Sequence, residues 1–110
     1  MSLVSQYKIS DVSRSDLKQG MADGSIILID IREPYEFIAG HVPGALSLPL
    51  SQFDQTSLPN DTTARVVFMC AAGVRTAKLL EALQDAGFDY CEHYQAGFKD
   101  WLASGEEIEF

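Results

Sequence analysis

The chain has 110 residues, of which 46% are hydrophobic, and this length and composition are typical of one globular domain over residues 1–110. Eight basic and sixteen acidic side chains give a net charge of −8, which argues against a nucleic acid or an anionic membrane as the partner. No apolar run reaches the roughly 18–20 residues of a membrane-spanning helix, and residues 1–6 lack the features of a signal peptide, so a cytoplasmic protein is expected.

The first part of the chain is predicted to begin a pattern of alternating strands and helices. Residues 7–9 are a candidate for a short strand. Ser13, with Asp16 three residues later, resembles a capping box that starts a helix extending to about Met21. Gly24 follows this helix and is predicted to end it.

Residues 26–31 form a continuous apolar run of strand length, as expected for a central parallel strand that is covered on both faces. Asp30 and Arg32 lie at the carboxyl end of this strand. Pro34 suits the first turn of a short helix, and Gly40 is predicted to stop that helix. The strand therefore delivers two charged residues to the sheet edge where ligands bind in such folds.

The rest of the chain is predicted to continue the same alternation. The predicted short elements are a strand at residues 45–48, a helical turn at 50–55, a polar loop at 57–64, a last strand at 90–94 and a final helix at 98–103. Strands that alternate with helices in this way imply one compact α/β layer structure.

Cys70 follows the apolar strand predicted for residues 66–69, and a small-residue loop separates it from a helix. Backbone N–H groups and the positive end of the helix dipole at this point favour an anion, and Arg75 adds positive charge. Cys70 therefore has a route to the thiolate, which is the nucleophilic form. The alternative is that Cys70 is a buried, inert strand residue, but the Ala-Ala-Gly-Val-Arg sequence that follows it favours a reactive cysteine.

Several other polar residues are predicted to have structural roles. Cys70 and Cys91 form no C-x-x-C pair, so neither a disulfide framework nor a zinc site is predicted, and both thiols are expected to be reduced. Cys91 could be a resolving thiol, but its alternation with its neighbours favours a half-buried, inert position. His41 is predicted to be a turn residue that hydrogen-bonds to backbone. Asp30 and Arg32 are predicted to form a supporting ion pair.

Four segments match, in order, the motifs of one protein family. Residues 30–37 resemble D-x-R-x-x-x-E-[FY], and residues 40–45 resemble G-H-I-P-G-A. Residues 70–75 resemble a six-residue active-site loop, and residues 96–101 resemble G-G-x-x-x-W with Ala96 in place of the first glycine. With these motifs, which extend over nearly the whole chain, the sequence resembles the rhodanese-like family.

The resemblance implies an α/β fold of the rhodanese-like three-layer type, with a five-stranded, mainly parallel sheet and helices on both faces. It also implies a sulfurtransferase, in which the Cys70 thiolate takes the outer sulfur of thiosulfate or of a persulfide and carries it as a persulfide. A thiol or cyanide then accepts that sulfur, and neither a metal nor an organic cofactor is needed. The loop residues implied to bind the substrate are Ala71, Ala72, Gly73, Val74 and Arg75.

Loop length separates two enzymatic alternatives. Rhodanese-like domains also resemble a phosphatase and arsenate-reductase branch with a longer C-x5-R loop that cradles a tetrahedral oxyanion, whereas this chain has C-x4-R. The shorter loop favours a single sulfur and therefore sulfur transfer. A non-enzymatic alternative is an interaction or sulfur-relay module with little turnover, against which the presence of both Cys70 and Arg75 argues.

Ala71 is the clearest departure from the family pattern, since many thiosulfate-using members carry a basic residue there. Without that cation, and with a net charge of −8, capture of an anionic donor is expected to be weak. The expected partners are therefore a small sulfur donor and a thiol or cyanide acceptor. A protein that carries a persulfide is an open alternative as the donor.

Overall fold

The computed structural model describes residues 6–59 and 62–110, so part of the segment used to argue against a signal peptide lies outside the described residues. Five strands form one sheet: β1 (Ser10–Asp11), β2 (Ile26–Asp30), β3 (Leu46–Ser47), β4 (Arg65–Met69) and β5 (Glu92–His93). All neighbouring strands are parallel, and their order across the sheet is β1-β5-β4-β2-β3. The predicted α/β fold with a parallel sheet is therefore confirmed.

The described residues also form four α-helices: α1 (Arg14–Asp23), α2 (Pro34–Ala39) and α3 (Val74–Asp85) lie between strands, and α4 (Gly97–Ala103) follows β5. The helical turn predicted for residues 50–55 is present as two short 3-10 helices, Leu50–Gln52 and Gln55–Ser57. Within the described part of the chain, no helix combines the length and the apolar character needed to cross a bilayer.

The hydrophobic core lies on both faces of the central strands β2 and β4. On one face, Leu28 belongs to a buried cluster with Leu17 of α1 and Trp101 of α4. On the other face, Phe68 belongs to a second cluster with Leu80 of α3. Successive side chains of a strand point to opposite faces, so continuous apolar runs in β2 and β4 supply both clusters. Helices consequently cover both faces of the sheet, as the family resemblance implied.

The predicted start of α1 is confirmed by its capping contact. The Ser13 hydroxyl accepts a hydrogen bond of 3.1 Å from the backbone N–H of Asp16, which satisfies a donor that the first helical turn leaves free. The helix continues to Asp23, two residues beyond the predicted end at Met21, and Gly24 terminates it with a φ of 82°.

The two strands at one side of the sheet differ from the prediction. The strand predicted for residues 7–9 is wrong, because the paired residues are Ser10–Asp11, and the strand predicted for residues 90–94 is reduced to Glu92–His93. The side chain of Gln84 on α3 explains why neither strand extends further toward its N-terminus. Its Nε2 donates to the carbonyl oxygens of Lys8 at 2.7 Å and Tyr90 at 2.9 Å, and its Oε1 accepts from the Lys8 N–H. These backbone groups are therefore not paired between strands.

The register of the sheet brings the ends of β2 and β4 together. Asp30 is aligned with Met69, and the N–H of Ile31 donates to the Met69 carbonyl at 2.9 Å. His93 on β5 is aligned with Phe68, two residues before Cys70. The carboxyl ends of three parallel strands thus meet at one edge, which is where ligands bind in open α/β sheets.

Candidate active site

Cys70 directly follows β4 and is only 1% exposed. Its sulfur accepts a hydrogen bond of 3.2 Å from the backbone N–H of Gly73. The sulfur also lies 3.7 Å from the hydroxyl oxygen of Thr76, in the first turn of α3. The structure therefore places the thiol where the sequence predicts it, between a buried strand and the start of a helix.

Two glycines allow the loop after Cys70 to pack closely against the start of α4. Gly73 has a φ of 83°, and a Cβ atom there would lie 2.6 Å from the carbonyl oxygen of Gln95. Gly97 has a φ of 74°, and a Cβ atom there would overlap the backbone of Ala71. Both positions therefore need glycine for two reasons, a left-handed backbone and the lack of space for a side chain.

The first turn of α4 binds the carbonyl groups at the beginning of the same loop. The N–H of Phe98 donates to the Cys70 carbonyl at 3.0 Å, and the N–H of Lys99 donates to the Ala71 carbonyl at 3.1 Å. These N–H groups would otherwise have no partner within their helix. The loop carbonyls are thereby held toward α4, while the N–H of Gly73 points to the sulfur.

The ionisation of Cys70 reflects two opposing effects. Burial raises the pKa of the thiol because it disfavours the charged form. Hydrogen bonds from the backbone N–H and hydroxyl of Thr76, and from the N–H groups of Ala72 and Gly73, lower that pKa by more. The pKa of Cys70 therefore lies below its ordinary value, which favours the nucleophilic thiolate.

Arg75, the last residue of the loop, is paired with a carboxylate on α2. Its Nη1 and Nη2 atoms lie 2.9 Å and 3.1 Å from the two carboxylate oxygens of Glu36, which is a bidentate arrangement. The hydrogen bond from Arg75 lowers the pKa of Glu36, and Glu36 in turn raises the pKa of Arg75. The negative charges of Cys70 and Asp30 also raise the pKa of Arg75.

Asp30 and Arg32 form a buried ion pair at the end of β2. The Nη2 atom of Arg32 lies 2.8 Å from an Asp30 oxygen, and the Arg32 and Asp30 side chains are 4% and 0% exposed. Arg32 also donates to the Gly40 carbonyl at 2.9 Å, and its guanidinium carbon lies 4.0 Å from the centre of the Phe98 ring. These contacts join β2, the end of α2 and α4, which is consistent with the predicted supporting role.

The remaining predicted residues have distinct surroundings. Ala72 and Val74 are exposed, and Val74 is 65% accessible. His41 has Nδ1 at 2.9 Å from the Phe37 carbonyl, so it contacts backbone as predicted. Cys91 is half-buried and precedes β5 at a position level with Val66, four residues before Cys70. At about 3.3 Å per residue, the two cysteines are separated by about 13 Å along the strand direction.

Two residues that the structure brings to the site, Thr76 and His93, were not predicted from the sequence. The Thr76 hydroxyl oxygen lies 2.8 Å from Nδ1 of His93 and 3.1 Å from the Gly73 carbonyl, to which it donates. Both side chains are buried. The available signals were a threonine directly after Arg75 in a helical first turn and a histidine within an otherwise half-buried strand.

Comparison with known proteins relates most of the chain to one family. A family model described as "Rhodanese-like domain" matches residues 13–104. In Mus musculus, "Thiosulfate sulfurtransferase/rhodanese-like domain-containing protein 3" is 30% identical over 105 residues, which cover 83% of this chain and 67% of that protein. The chain spans about half the length of another curated relative.

Two solved structures are also similar. The human single-domain sulfurtransferase TSTD1 is 26% identical with a TM-score of 0.71, and the match covers 84% of this chain and 95% of that chain. A protein of unknown function from Rhodopseudomonas palustris, described as a possible tyrosine phosphatase, is 28% identical with a TM-score of 0.73. That match covers 92% of this chain and 85% of the other.

Proposed function

The chain belongs to the rhodanese-like domain family, and from this premise we propose that it is a sulfurtransferase that carries sulfane sulfur on Cys70. The observation that supports this most directly is the surroundings of the sulfur, which accepts a hydrogen bond from the Gly73 N–H at the start of α3. The Cys70 thiolate and a Cys70 persulfide anion both carry a negative charge on sulfur. The hydrogen-bond donors that lower the pKa of Cys70 therefore also suit the persulfide.

The proposed reaction has two nucleophilic displacements at sulfur. In the first, the Cys70 thiolate attacks the outer sulfur of the donor, the donor S–S bond breaks, and its electrons leave with sulfite or a thiolate. This step leaves a Cys70 persulfide anion. In the second, a thiol or cyanide acceptor attacks the terminal sulfur, the bond to Cys70 breaks, and the Cys70 thiolate is regenerated. The loop from Ala71 to Arg75 is proposed to bind the transferred sulfur.

The donor must bring its reacting sulfur to a closely surrounded thiol. Cys70 is only 1% exposed, so a donor has to present the sulfur at a narrow end. Arg75 shares its charge with Glu36, and Ala71 contributes none, so the loop offers an anionic donor little free positive charge. A persulfide on a small thiol or on a partner protein therefore suits the site better than thiosulfate does.

The test measures sulfur on the intact protein after incubation with thiosulfate or a small-molecule persulfide. We expect the mass to increase by one sulfur atom, and cyanide to remove that atom. Cys70→Ser should abolish the gain, whereas the matched variant Cys91→Ser should retain most of it, because Cys91 lies away from the loop. An equal loss in both variants would contradict the single-cysteine mechanism.

A phosphatase is the second candidate, because the Rhodopseudomonas palustris neighbour is described as a possible tyrosine phosphatase. A tetrahedral oxyanion needs donors around three equatorial oxygens, and the C-x4-R loop is one residue shorter than the phosphatase form. We therefore expect hydrolysis of an aryl phosphate to stay near background. Strong hydrolysis that depends on Cys70 would reverse this order of the two candidates.

A sulfur-relay or interaction module with little turnover is the non-enzymatic alternative. It is distinguished by the acceptor step, because a relay domain would take up sulfur on Cys70 without releasing it rapidly to cyanide or a small thiol. Single-turnover transfer from the loaded protein measures this step. Rapid release to small acceptors supports an enzyme, whereas release only to a protein acceptor supports the relay.

A further inference from the structure

A continuous series of polar contacts links Cys70 to His93. The Cys70 sulfur lies 3.7 Å from the Thr76 hydroxyl oxygen, which lies 2.8 Å from Nδ1 of His93. All three side chains are buried, with exposures of 1%, 0% and 5%. These contacts connect the loop after β4, the first turn of α3 and strand β5. The proposed sulfur-transfer steps make no use of His93.

The contacts of Thr76 limit how its single hydroxyl proton can be used. The hydroxyl has three polar neighbours: the Gly73 carbonyl at 3.1 Å, the sulfur of Cys70 and the His93 ring. The carbonyl and a thiolate can only accept a hydrogen bond. If His93 Nδ1 also accepted, it would take the one proton, and neither the carbonyl nor the thiolate would receive it.

We propose that His93 is a positioning residue of this site, which carries its proton on Nδ1 and donates it to the Thr76 hydroxyl oxygen. The Thr76 proton then stays free to point to the Gly73 carbonyl while Cys70 is a thiol, and to turn to the sulfur when Cys70 ionises. This change is a rotation of the Thr76 hydroxyl, in which no covalent bond of Thr76 or His93 forms or breaks. His93 acts on Cys70 only through Thr76, and its value for catalysis rests on the proposed sulfur transfer.

The charged groups near Cys70, Thr76 and His93 are compatible with a neutral, singly protonated imidazole ring of His93. Burial lowers the pKa of His93, so the ring is neutral at pH 7, while Asp11 on β1 acts in the opposite direction. A neutral ring has one N–H, so the choice between Nδ1 and Nε2 decides whether it can donate to Thr76. At the Cys70 end of this series of contacts, the thiol interacts with Arg75, whose charge is balanced by Glu36.

The direct test is the ¹⁵N spectrum of the histidine rings in the wild-type protein at pH 7. The chain has two histidines, and a His93→Asn variant identifies which signals belong to His93. We expect Nδ1 of His93 to carry the proton and Nε2 to lack it. The opposite tautomer would overturn the proposal. This measurement needs no substrate, and it does not depend on whether a variant of Thr76 folds.

A second test measures the pKa of Cys70 from the pH dependence of its alkylation by iodoacetamide, in a Cys91→Ser background. Thr76→Val should raise this pKa by about one unit, which is the size of one modest hydrogen bond to a charged group. Thr76→Ser, which keeps the hydroxyl, should leave the pKa nearly unchanged. These two variants establish that the hydroxyl itself acts on the sulfur.

His93 is then compared in the same assay. His93→Leu should raise the Cys70 pKa by roughly half a unit, because the Thr76 hydroxyl loses the donor that orients it. His93→Asn can still donate from a similar position and should retain most of the wild-type value. In the Thr76→Val background, His93→Leu should have no further effect. An unshifted pKa in His93→Leu, or additive shifts in the double variant, would overturn the proposal.

The two proposals fail separately. If Cys70 takes up no sulfur but the tautomer and the coupled pKa shifts are found, the proposed function fails and the role of His93 in thiol ionisation stands. If sulfur transfer is found with the Nε2–H tautomer, the role of His93 fails and the proposed function stands.

Discussion

At the scale of single residues, the loop after Cys70 stabilises negative charge mainly through hydrogen-bond donors. The Gly73 N–H contacts the sulfur at 3.2 Å, whereas the guanidinium of Arg75 is bound to both carboxylate oxygens of Glu36. Ala71, directly after the cysteine, has no charge to add. The site should therefore favour a localised charge on one sulfur over an extended anion such as thiosulfate.

A cation at position 71 should improve capture of thiosulfate. We expect Ala71→Arg to lower KM for thiosulfate about two- to fivefold, which corresponds to a partly exposed ion pair, with little change in kcat. The physical reason is that a guanidinium at this position can pair with the sulfonate oxygens of the donor before the transition state as well as in it. Steady-state sulfur transfer to cyanide measures both constants.

The control for this substitution is Ala71→Gln, which adds a side chain of comparable length without charge. The effect of arginine should also shrink at high ionic strength, because salt screens an exposed pair. If Ala71→Gln lowers KM as much as Ala71→Arg, the gain comes from packing rather than charge. An unchanged KM in a folded Ala71→Arg variant would mean that this position does not determine donor specificity.

Glu36→Gln should reduce stability in a manner that depends on pH. The hydrogen bond from Arg75 lowers the pKa of Glu36 in the folded protein below its ordinary value, although burial opposes this shift. The contribution is therefore fully present above the pKa of the unfolded state and is lost as pH falls through the folded-state pKa. For a pair exposed by 34% and 21%, we expect a loss of roughly 0.2–1 kcal/mol at pH 7.

Urea unfolding of the wild type and Glu36→Gln at pH 7 and pH 3.5 measures this difference. Glutamine keeps the oxygen that can accept from the Glu33 N–H, a contact of 3.0 Å in the wild type, so the helix cap is retained. The difference between the two proteins should be largest at pH 7 and smaller at pH 3.5. A difference that is equal at both pH values would show that ionisation of Glu36 does not contribute.

Residue roles could be predicted from the sequence where the partners are close in the chain. Cys70 and Arg75 are separated by four residues, so the loop between them is visible as a motif. The partners of the same loop are distant: Glu36 is 39 residues from Arg75, and His93 is 17 residues from Thr76. Only the folded sheet brings these pairs together, and for this reason the sequence does not show that Glu36 pairs with Arg75 or that His93 contacts Thr76.

At the scale of secondary-structure elements, the start of α4 supports the loop after Cys70. The N–H groups of Phe98 and Lys99 bind the carbonyls of Cys70 and Ala71, and this contact is possible because Gly97 has no side chain. The Ala96-Gly97 segment thus helps to hold the loop after Cys70 in place. A change at Gly97 should therefore alter the thiol, even though Gly97 does not touch the sulfur in any described contact.

Gly97→Ala should be considerably more harmful than Gly105→Ala. Both glycines have a positive φ, 74° and 73°, but only at Gly97 would a Cβ atom meet the backbone of Ala71. Strain at a positive φ costs about 1–2 kcal/mol, and overlap in a packed region adds about 1–3 kcal/mol. We therefore expect a loss of about 2–5 kcal/mol in Gly97→Ala and about 1–2 kcal/mol in Gly105→Ala, measured by urea unfolding.

The reactivity of Cys70 separates a local effect from general destabilisation. In Gly97→Ala, displacement of the Ala71 backbone should move the loop N–H groups away from the sulfur and slow alkylation of Cys70 at pH 7. A Cβ atom at Gly105 would meet no heavy atom of the described residues within 4 Å, so Gly105→Ala should keep the wild-type alkylation rate. Equal alkylation rates in the two variants would contradict the role assigned to α4.

The central elements could be predicted from their sequences, whereas the elements at one edge could not. Strands β2 and β4 are apolar on both faces, and this composition is typical of a covered parallel strand. Strands β1 and β5 contain two residues each, and the side chain of Gln84 binds the backbone of Lys8 and Tyr90, which precede them. A contact from a distant helix leaves no periodic signal in a strand sequence, which explains why the strand predicted for residues 7–9 is wrong and why the one predicted for 90–94 begins too early.

At the scale of the whole molecule, the charge of −8 opposes the approach of an anionic donor. Arg75 does not remove this effect at the loop, because its charge is balanced by Glu36 at 2.9 Å. A neutral reagent experiences no such repulsion. The charge state of a molecule that reacts with Cys70 should consequently determine how its rate responds to salt.

Iodoacetate and iodoacetamide provide a matched pair for this comparison, since they alkylate the same thiol and differ by one negative charge. In the Cys91→Ser background, we expect the rate constant for iodoacetate to rise about twofold between about 10 mM and about 300 mM salt, because ions screen repulsion over distances beyond about 10 Å. The rate constant for iodoacetamide should stay nearly constant, which controls for any effect of salt on the thiol itself. Thiosulfate, with two negative charges, should show a larger rise in kcat/KM than iodoacetate shows in its rate constant. If the two alkylating reagents respond equally to salt, the net charge does not limit access to Cys70, and weak use of thiosulfate would have to arise within the loop.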